Sequence, residues 1–230
     1  MLLEDALPGY LEALLRLLYP SLCGVCENLL ELEERGICSL CWVNFQKFRL
    51  SPSEERIRVS LKHADEAWAL FHYEGIIKDL LHKIKFDKRR DLLKIFAADI
   101  LQFLTQRSHF ATYDRVVPIP LDFRRRLQRE FNQSSLIVRE IHKVLRIKRG
   151  RYLIKKFSTP AQSLLGRKER RLNVDRVFHV MNPRQVKDKS ILLVDDIFTT
   201  GATLEEAGKT LKEAGASRVG YFVLARTQGR

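Results

Sequence analysis

A buried apolar strand that leads into two acidic residues limits most strongly what this chain of 230 residues can fold into. Residues 190–194 have the sequence SILLV, a nearly continuous apolar run of the kind that is buried on both faces of a parallel sheet. Asp195 and Asp196, the acidic pair, follow directly, and residues 199–203 form a loop of small residues before a helix over residues 201–214. The pattern predicts a strand–loop–helix unit whose loop lies at the carboxyl edge of a sheet, where α/β proteins bind ligands.

The loop over residues 199–203, here the phosphate loop, has the composition of an anion-binding turn. Its backbone N–H groups and hydroxyls can surround a phosphate, and the following helix points its positive end at the same place. Gly201 lets the backbone approach a ligand closely, and the two adjacent carboxylates suit the two hydroxyls of a ribose. We therefore predict a ribose-phosphate site. Its residues are Asp195, Asp196, Thr199, Thr200, Gly201, Ala202 and Thr203.

Strands and helices alternate through most of the remaining chain. Apolar runs predict the strands, and apolar residues at helical spacing predict the helices. Such alternation is typical of an α/β fold with a mostly parallel, twisted sheet flanked by helices. The predicted strands are 67–73, 115–120 and 218–224, and the predicted helices are 8–18, 75–86, 91–104 and 132–145.

All four cysteines lie in one short segment near the N-terminus. Cys23 and Cys26 form one Cys-x-x-Cys pair, Cys38 and Cys41 form another, and 11 residues separate the pairs. Two such turns can supply the four thiolates of a closed, structural zinc site. Two disulfides are the main alternative, although a cytosolic chain keeps its thiols reduced. The predicted parts of the chain are residues 1–50, with a helix and a zinc-binding module, and residues 51–230, with the α/β domain.

The positive charge of the chain is concentrated in its middle. The formal net charge is +13, and residues 101–190 alone hold 22 basic and 7 acidic side chains. Such a segment attracts nucleic acid or a phosphorylated small molecule, and a solvated basic surface is the alternative. No apolar run approaches the roughly 20 residues of a membrane span, and Glu4, Asp5 and Glu12 interrupt the leucine-rich start. We expect a cytoplasmic protein with no signal peptide.

Several motifs resemble those of known families. The apolar strand, acidic pair and Thr/Gly loop resemble the motif with which type I phosphoribosyltransferases bind phosphoribosyl pyrophosphate (PRPP). Further stretches resemble the ComF family of competence-associated, amidophosphoribosyltransferase-like proteins. These stretches are residues 18–20 with the four-cysteine module, 116–121 with 131–133, 159–167, and 170–174.

The resemblance implies a type I phosphoribosyltransferase fold and chemistry at C1 of PRPP. A phosphoribosyl group would pass to an unidentified acceptor and pyrophosphate would leave, with Mg²⁺ held mainly by oxygens of the substrate. The family also implies a link to DNA uptake in natural transformation. The implied PRPP-binding residues beyond the motif are Pro120 and Leu121 in a pyrophosphate loop, Lys85 on an early helix, and Gln162 in a mobile loop over residues 157–174. The implied catalytic residues are Asp195 and Asp196 with Arg167 and Arg171 of that mobile loop.

Two functions remain open at this point. The first is an active phosphoribosyltransferase. The second is a non-catalytic accessory protein that handles single-stranded DNA and keeps the fold as a PRPP sensor or scaffold; Arg124, Arg125 and Arg126 would then meet the DNA phosphates. Glu130 departs from the family pattern, which usually has glycine before residues 131–133. Its carboxylate could repel pyrophosphate or pair with a neighbouring arginine.

Overall fold

The computed structural model describes residues 20–31, 33–34, 36–58, 61–122, 129–155 and 177–228. Within these ranges, five parallel strands form one sheet in the order β1-β7-β6-β2-β3, and β4 and β5 form a separate antiparallel ribbon. The predicted α/β class with a parallel sheet is confirmed. The strands are β1 (Glu66–His72), β2 (Arg115–Pro118), β3 (Lys148–Arg149), β4 (Leu153–Lys155), β5 (Phe178–Val180), β6 (Ser190–Phe198) and β7 (Arg218–Arg226).

Helices cover both faces of the sheet. The helices are α1 (Ser39–Gln46), α2 (Gly75–Phe86), α3 (Ala97–Thr105), α4 (Gln133–Leu145) and α5 (Ala202–Glu213). Because successive side chains of a strand point to opposite faces, Leu192 and Val194 of β6 pack with α2, α3 and α4, whereas Ile191 and Leu193 pack with α5. None of the helices in the described ranges has the length and apolar character that a membrane crossing requires.

All four predicted strands end at positions that differ from the prediction. β1 ends at His72 rather than at residue 73, and β7 ends at Arg226 rather than at residue 224. β6 continues through the acidic pair to Phe198, because Asp195 and Phe198 still pair with residues of β7. β2 ends at Pro118 rather than at residue 120, and the Ile119 N–H donates the next backbone hydrogen bond to the Val194 carbonyl (2.9 Å). The acidic pair therefore belongs to the last residues of the strand and is held by the sheet itself.

The helix predictions also need correction. Residues 91–104 form a 3₁₀-helix (Arg90–Phe96) followed by α3 rather than one continuous helix. The helix α1 was not predicted; it begins at Ser39, directly after one of the cysteines, and has no side-chain cap or amphipathic pattern that would mark it. The predicted helix over residues 8–18 lies outside the described residues.

The cysteine segment shares the core on the α2 side of the sheet. Cys23 and Cys38 are buried in that core, and the Phe45 ring of α1 lies 4.9 Å from the Phe71 ring and 5.3 Å from the Phe96 ring, centroid to centroid. This segment is thus packed onto the α/β part through aromatic contacts. The division of the chain at residue 50 stays a prediction.

Candidate active site

The acidic pair is held in place by neighbours from two helices. The Ser134 hydroxyl, near the start of α4, donates to Asp195 Oδ1 (2.9 Å), and so does the backbone N–H of Asp196 (2.9 Å). Lys85 Nζ, near the end of α2, lies 2.9 Å from Asp196 Oδ2, and Asp196 is only 8% exposed. Asp195 Oδ2 and Asp196 Oδ1 accept no hydrogen bond from the described residues, so one oxygen of each carboxylate remains available to a ligand.

The environment of Asp195 favours the protonated carboxyl. Burial raises its pKa, and the neighbouring negative charge of Asp196 raises it further. The hydrogen bonds from Ser134 and from the Asp196 N–H, together with the positive charge of Lys85, oppose this effect, and the pKa is raised to about 7. Asp195 therefore lies near the point of ionisation at neutral pH, and a ligand that donates hydrogen bonds to it would favour the charged form.

The phosphate loop has the geometry of an anion cradle. Gly201 adopts φ +78°, and a Cβ there would lie 2.6 Å from the Phe198 ring, which explains why glycine is required. Gly201 has no side chain that could cap the N-terminus of α5, and the N–H of Ala202, its first residue, makes only a long contact with Thr200 Oγ1 (3.4 Å). An anion could displace so weak a contact. Thr199, Thr200 and Thr203 are exposed beside this N-terminus. The loop therefore presents exposed hydroxyls and a weakly paired N–H donor directly after the acidic pair.

A cleft of about 110 Å³ lies at this edge of the sheet. It contains six of the residues that the sequence analysis singled out, among them both members of the acidic pair. The predicted residues that line it are Lys85, Pro120, Leu121, Asp195, Asp196 and Thr203. Gln162, Arg167 and Arg171 lie outside the described residues. A larger cavity of about 440 Å³ lies beside the amino end of β1, and none of the predicted site residues lines it.

Six further residues line the cleft beyond the predicted binding residues, and two of them, Ile119 and Asp122, belong with Pro120 and Leu121 to the stretch that the resemblance assigns to the pyrophosphate loop. Two others, Gln133 and Ser134, lie in or directly after the Phe-Asn-Gln motif of residues 131–133, to which no binding role was assigned. It places Gln133 and Ser134 at the start of α4, and β2 lies beside β6 in the sheet. No local sequence pattern marks Lys155, because only the tertiary fold brings β4 to the cleft. The six residues are Ile119, Asp122, Arg129, Gln133, Ser134 and Lys155.

Glu130 occupies a backbone position that favours glycine. Its φ is +58°, in the left-handed region where a side chain is strained. Its carboxylate pairs with Lys88 rather than with an arginine, and Glu130 does not line the cleft. The departure from glycine therefore adds backbone strain rather than a negative charge inside the site.

The four cysteines form a second cluster, apart from the cleft. Their sulfurs all lie within 4.8 Å of one another, and all four are free thiols rather than disulfides. The Sγ atoms of Cys26 and Cys38 are 3.7 Å apart, about the separation of two thiolates on one tetrahedral zinc ion with bonds of ~2.3 Å. Against the effect of burial, N–H donors, among them that of Cys38, lower the pKa of Cys23 to about 6, whereas burial and the neighbouring sulfurs raise the pKa of Cys41. The four thiols therefore do not ionise independently. This donor set fits a metal ion such as zinc.

The raised pKa of Asp195 predicts a pH-dependent cost in stability. An unfolded aspartate ionises near pH ~3.9, so between that pH and about 7 the folded state holds the extra proton, and its stability falls as the pH rises. Asp195→Asn removes this cost and keeps an oxygen for the Ser134 hydroxyl. We expect the variant to have a higher Tm than the wild type at pH 8. The gain is about 1–2 kcal/mol after solvent screening, or about 2–8 °C.

Thermal unfolding followed by circular dichroism at pH 5 and pH 8 checks this expectation. The difference in Tm should grow between the two pH values. A difference that is the same at both, or a variant that is less stable at pH 8, contradicts the stated environment of Asp195.

The chain is similar to several known proteins. A model of the phosphoribosyl transferase domain matches residues 133–230, the part that contains the acidic pair and the phosphate loop. Competence protein ComFC of Streptococcus pneumoniae is 31% identical over 213 residues, which cover 86% of this chain and 91% of that protein. DNA utilization protein YhgH of Salmonella typhi is 30% identical over 227 residues, which cover 90% of this chain and 98% of that protein.

Solved structures show a weaker similarity. Glutamine phosphoribosylpyrophosphate amidotransferase from B. subtilis matches 55% of this chain and 25% of its own, at 20% identity and a TM-score of 0.41, which is too low to carry an argument. The sequence relatives, in contrast, span almost the full length of both chains. Their identity and coverage show that this chain belongs to the ComF family, with a phosphoribosyl transferase domain and a four-cysteine cluster before it.

Proposed function

We propose that the protein binds PRPP at the carboxyl end of β6 and transfers its phosphoribosyl group to an acceptor that is still unidentified. The observation that carries this proposal is the acidic pair, with one free carboxylate oxygen on each residue, followed directly by the phosphate loop and the N-terminus of α5. The free oxygens suit the two ribose hydroxyls, and the phosphate loop suits the 5′-phosphate. The names of the relatives, a competence protein and a DNA utilization protein, support a role linked to DNA uptake.

The chemistry is displacement of pyrophosphate from C1 of the ribose by a nucleophile. Positive charge develops on the sugar in the transition state, so the site must hold the leaving group and keep water away. Asp195 and Asp196 would fix the ribose, and Lys85 would orient Asp196 through its 2.9 Å contact. Mg²⁺ would neutralise the pyrophosphate and take most of its ligands from the substrate. Arg167, Arg171 and Gln162 stay predictions for a loop that closes over PRPP.

Removal of both carboxylates should weaken PRPP binding strongly. In Asp195→Ala/Asp196→Ala two charge-assisted hydrogen bonds are lost, each of about 1.5–3 kcal/mol, so we expect at least about a 100-fold rise in Kd. Isothermal titration calorimetry with PRPP and Mg²⁺ measures it. Asp91→Ala is the matched control, because Asp91 is exposed and pairs with Arg89 away from the cleft. Equal affinity in the double variant and the control contradicts the ribose assignment.

We further propose that the cysteine cluster holds one structural zinc ion. Four free thiols whose sulfurs lie within 4.8 Å of one another support it, and the cytoplasm, where we place the protein, keeps such thiols reduced. Because Cys23 and Cys38 are buried in the core that α2 and α3 share, the metal would link the N-terminal segment to the α/β part and stabilise the fold.

Metal content and stability should change together. Elemental analysis of the purified protein should find about one zinc per chain, and Cys26→Ser should lower both the zinc content and the Tm. Ser39→Ala is the control, because Ser39 is exposed in the same segment and supplies no sulfur. A wild-type protein without metal, or a Cys26→Ser protein with full zinc content, contradicts the proposal.

A second candidate function, the handling of single-stranded DNA, is favoured by one surface. Four exposed basic residues lie around the edge strand β3, and none forms an ion pair within the described part of the chain. Uncompensated cations at this density attract a phosphate backbone. Arg124, Arg125 and Arg126 lie outside the described residues. The four residues, here the β3 basic surface, are Arg146, Lys148, Arg149 and Arg151.

DNA binding at the β3 basic surface should depend strongly on salt. For single strands the slope of log affinity against log salt is about −0.7 per phosphate contact. The triple variant Lys148→Ala/Arg149→Ala/Arg151→Ala should therefore flatten the slope by about 2, since three contacts are lost. Fluorescence anisotropy with a labelled oligonucleotide over a range of NaCl concentrations measures this slope.

A matched charge change separates a local effect from a general one. Lys62→Ala/Lys78→Ala/Lys94→Ala also removes three exposed cations, but from other surfaces. If both triple variants flatten the slope equally, or if the wild type does not bind the oligonucleotide, the β3 basic surface is not a DNA site.

A further inference from the structure

The helix α1 exposes apolar side chains on the side that faces away from the core. Phe45 is the residue of this helix that is buried. Leu40 (80% exposed) and Val43 (60% exposed) lie three positions apart and therefore share one helix face. A helix that is apolar on all sides is normally covered on all sides, so we expect a partner for this face of α1.

The loop around the first cysteine pair extends this apolar surface. Leu22 and Leu29 face each other across an isolated antiparallel bridge, and both are exposed. Leu22 precedes Cys23 and Leu40 precedes Cys41, and the sulfurs of these two cysteines lie within 4.8 Å of each other. The cysteine cluster therefore brings the two exposed stretches of chain together on one surface.

Acidic residues lie at the border of this surface. The Glu34 carboxylate accepts the backbone N–H of Ser39, at the start of α1, and that of Glu31 (2.9 Å). This contact holds the loop with Glu31 and Glu33, both exposed, beside α1. Residues 20–46 hold four acidic side chains and one basic side chain, in a chain whose net charge is +13. The acidic apolar surface, as we call it here, consists of Leu22, Leu29, Leu40, Val43, Glu31 and Glu33.

The ribbon of β4 and β5 exposes a second apolar surface. Phe178 points into the core on the α5 side of the sheet. Ile154 pairs with His179 on the other face, and its diagonal neighbours there are Val177 and Met181. All three of these apolar side chains are exposed, Met181 by 59%. An apolar run on both faces is typical of a strand that is covered on both sides, so the outer face of the ribbon also lacks a cover.

Positive charge borders the apolar face of the ribbon. Arg149 and Arg151, two members of the β3 basic surface, are exposed and form no ion pair within the described part of the chain. The Met181 N–H donates to the carbonyl of Tyr152 (2.9 Å), the residue directly after Arg151. Arginine and apolar face are therefore neighbours. The basic apolar surface, as we call it here, consists of Ile154, Val177, Met181, Arg149 and Arg151.

We propose that the acidic apolar surface of one copy of this chain binds the basic apolar surface of a second copy. Each surface supplies apolar area that the other can remove from water, and their charges have opposite signs, which orients the contact. The cysteine segment packs on the α2 side of the sheet and the ribbon packs on the α5 side. The two surfaces of one copy thus lie on opposite faces and meet only between copies. Because the two surfaces differ, further copies can add at both ends.

Two double variants, each defective in one surface, test this pairing by sedimentation velocity. Leu40→Gln/Val43→Gln removes apolar area from the acidic apolar surface, and Ile154→Thr/Met181→Gln removes it from the basic apolar surface. The wild type should associate as its concentration rises, with a Kd of roughly 10 μM, as for a small and transient interface. Each variant alone should have a Kd at least about tenfold higher. An equimolar mixture of the two should form a complex of two chains and no larger one, because one intact pair of surfaces remains.

Further variants separate this contact from a general loss of apolar surface or a folding defect. Leu101→Gln removes an exposed leucine of α3 that belongs to neither surface, so it should associate like the wild type. Arg149→Glu/Arg151→Glu leaves the apolar side chains of the ribbon in place and reverses the charge beside them. It should also prevent self-association, and its mixture with Leu40→Gln/Val43→Gln should not form the complex of two chains.

Three results would overturn the proposal. A wild type that stays monomeric over the whole concentration series shows that residues 1–19, another protein or nothing covers the acidic apolar surface. Self-association of one double variant at the strength of the wild type shows that the contact joins identical surfaces or lies elsewhere. A mixture of the two double variants that stays monomeric, while the wild type associates, shows that the two surfaces do not bind each other.

Discussion

The site depends on the pairing of β6 with the strands on either side of it. β2 pairs with β6 up to Val194, and β7 pairs with β6 up to Phe198. The pairing with β2 therefore ends directly before Asp195 and Asp196, and the pairing with β7 continues past them. α4 lies against β2 and β6, and its Ser134 hydroxyl donates to Asp195. The parallel pairings of β6 with β2 and β7 therefore bring the acidic pair, the phosphate loop and the start of α4 to one edge, where ligands of α/β sheets bind.

This arrangement destabilises the charged form of Asp195. A carboxylate beside another carboxylate, in a partly buried position, has a raised pKa, and the neighbours only partly offset it. Lys85 neutralises Asp196, whereas Arg129 and the Gln133 amide remain without anionic partners in the described part of the chain. The cleft thus holds unsatisfied acceptors on one side and unsatisfied donors on the other. A ligand with hydroxyls in its middle and phosphates at its ends satisfies both.

The part of the site that is contiguous in sequence, from β6 to the phosphate loop, could be predicted from local sequence patterns. The apolar run of β6, the acidic pair and Gly201 are contiguous, so their spacing alone places them on one strand–loop–helix unit. Lys85 and the loop at Pro120 came only from the family resemblance, since no local pattern marks them. The motif of residues 131–133 marks the helix start at Ser134, but only the neighbouring position of β2 and β6 shows that this start lies beside Asp195. Lys155 could not be predicted, because no local pattern places β4 at the cleft. The extension of β6 past residue 194 was missed for the same reason: it is the pairing with β7 that keeps two charged residues in a strand.

The central claim is that the acidic pair binds the ribose of PRPP. A crystal structure of the full-length protein with PRPP and Mg²⁺ tests it most directly. The account predicts ribose hydroxyls within hydrogen-bond distance, about 2.5–3.0 Å, of the free oxygens of Asp195 and Asp196, and a 5′-phosphate on the N–H groups of residues 199–203. Density for PRPP elsewhere on the protein, or a ribose that does not touch either carboxylate, would contradict it.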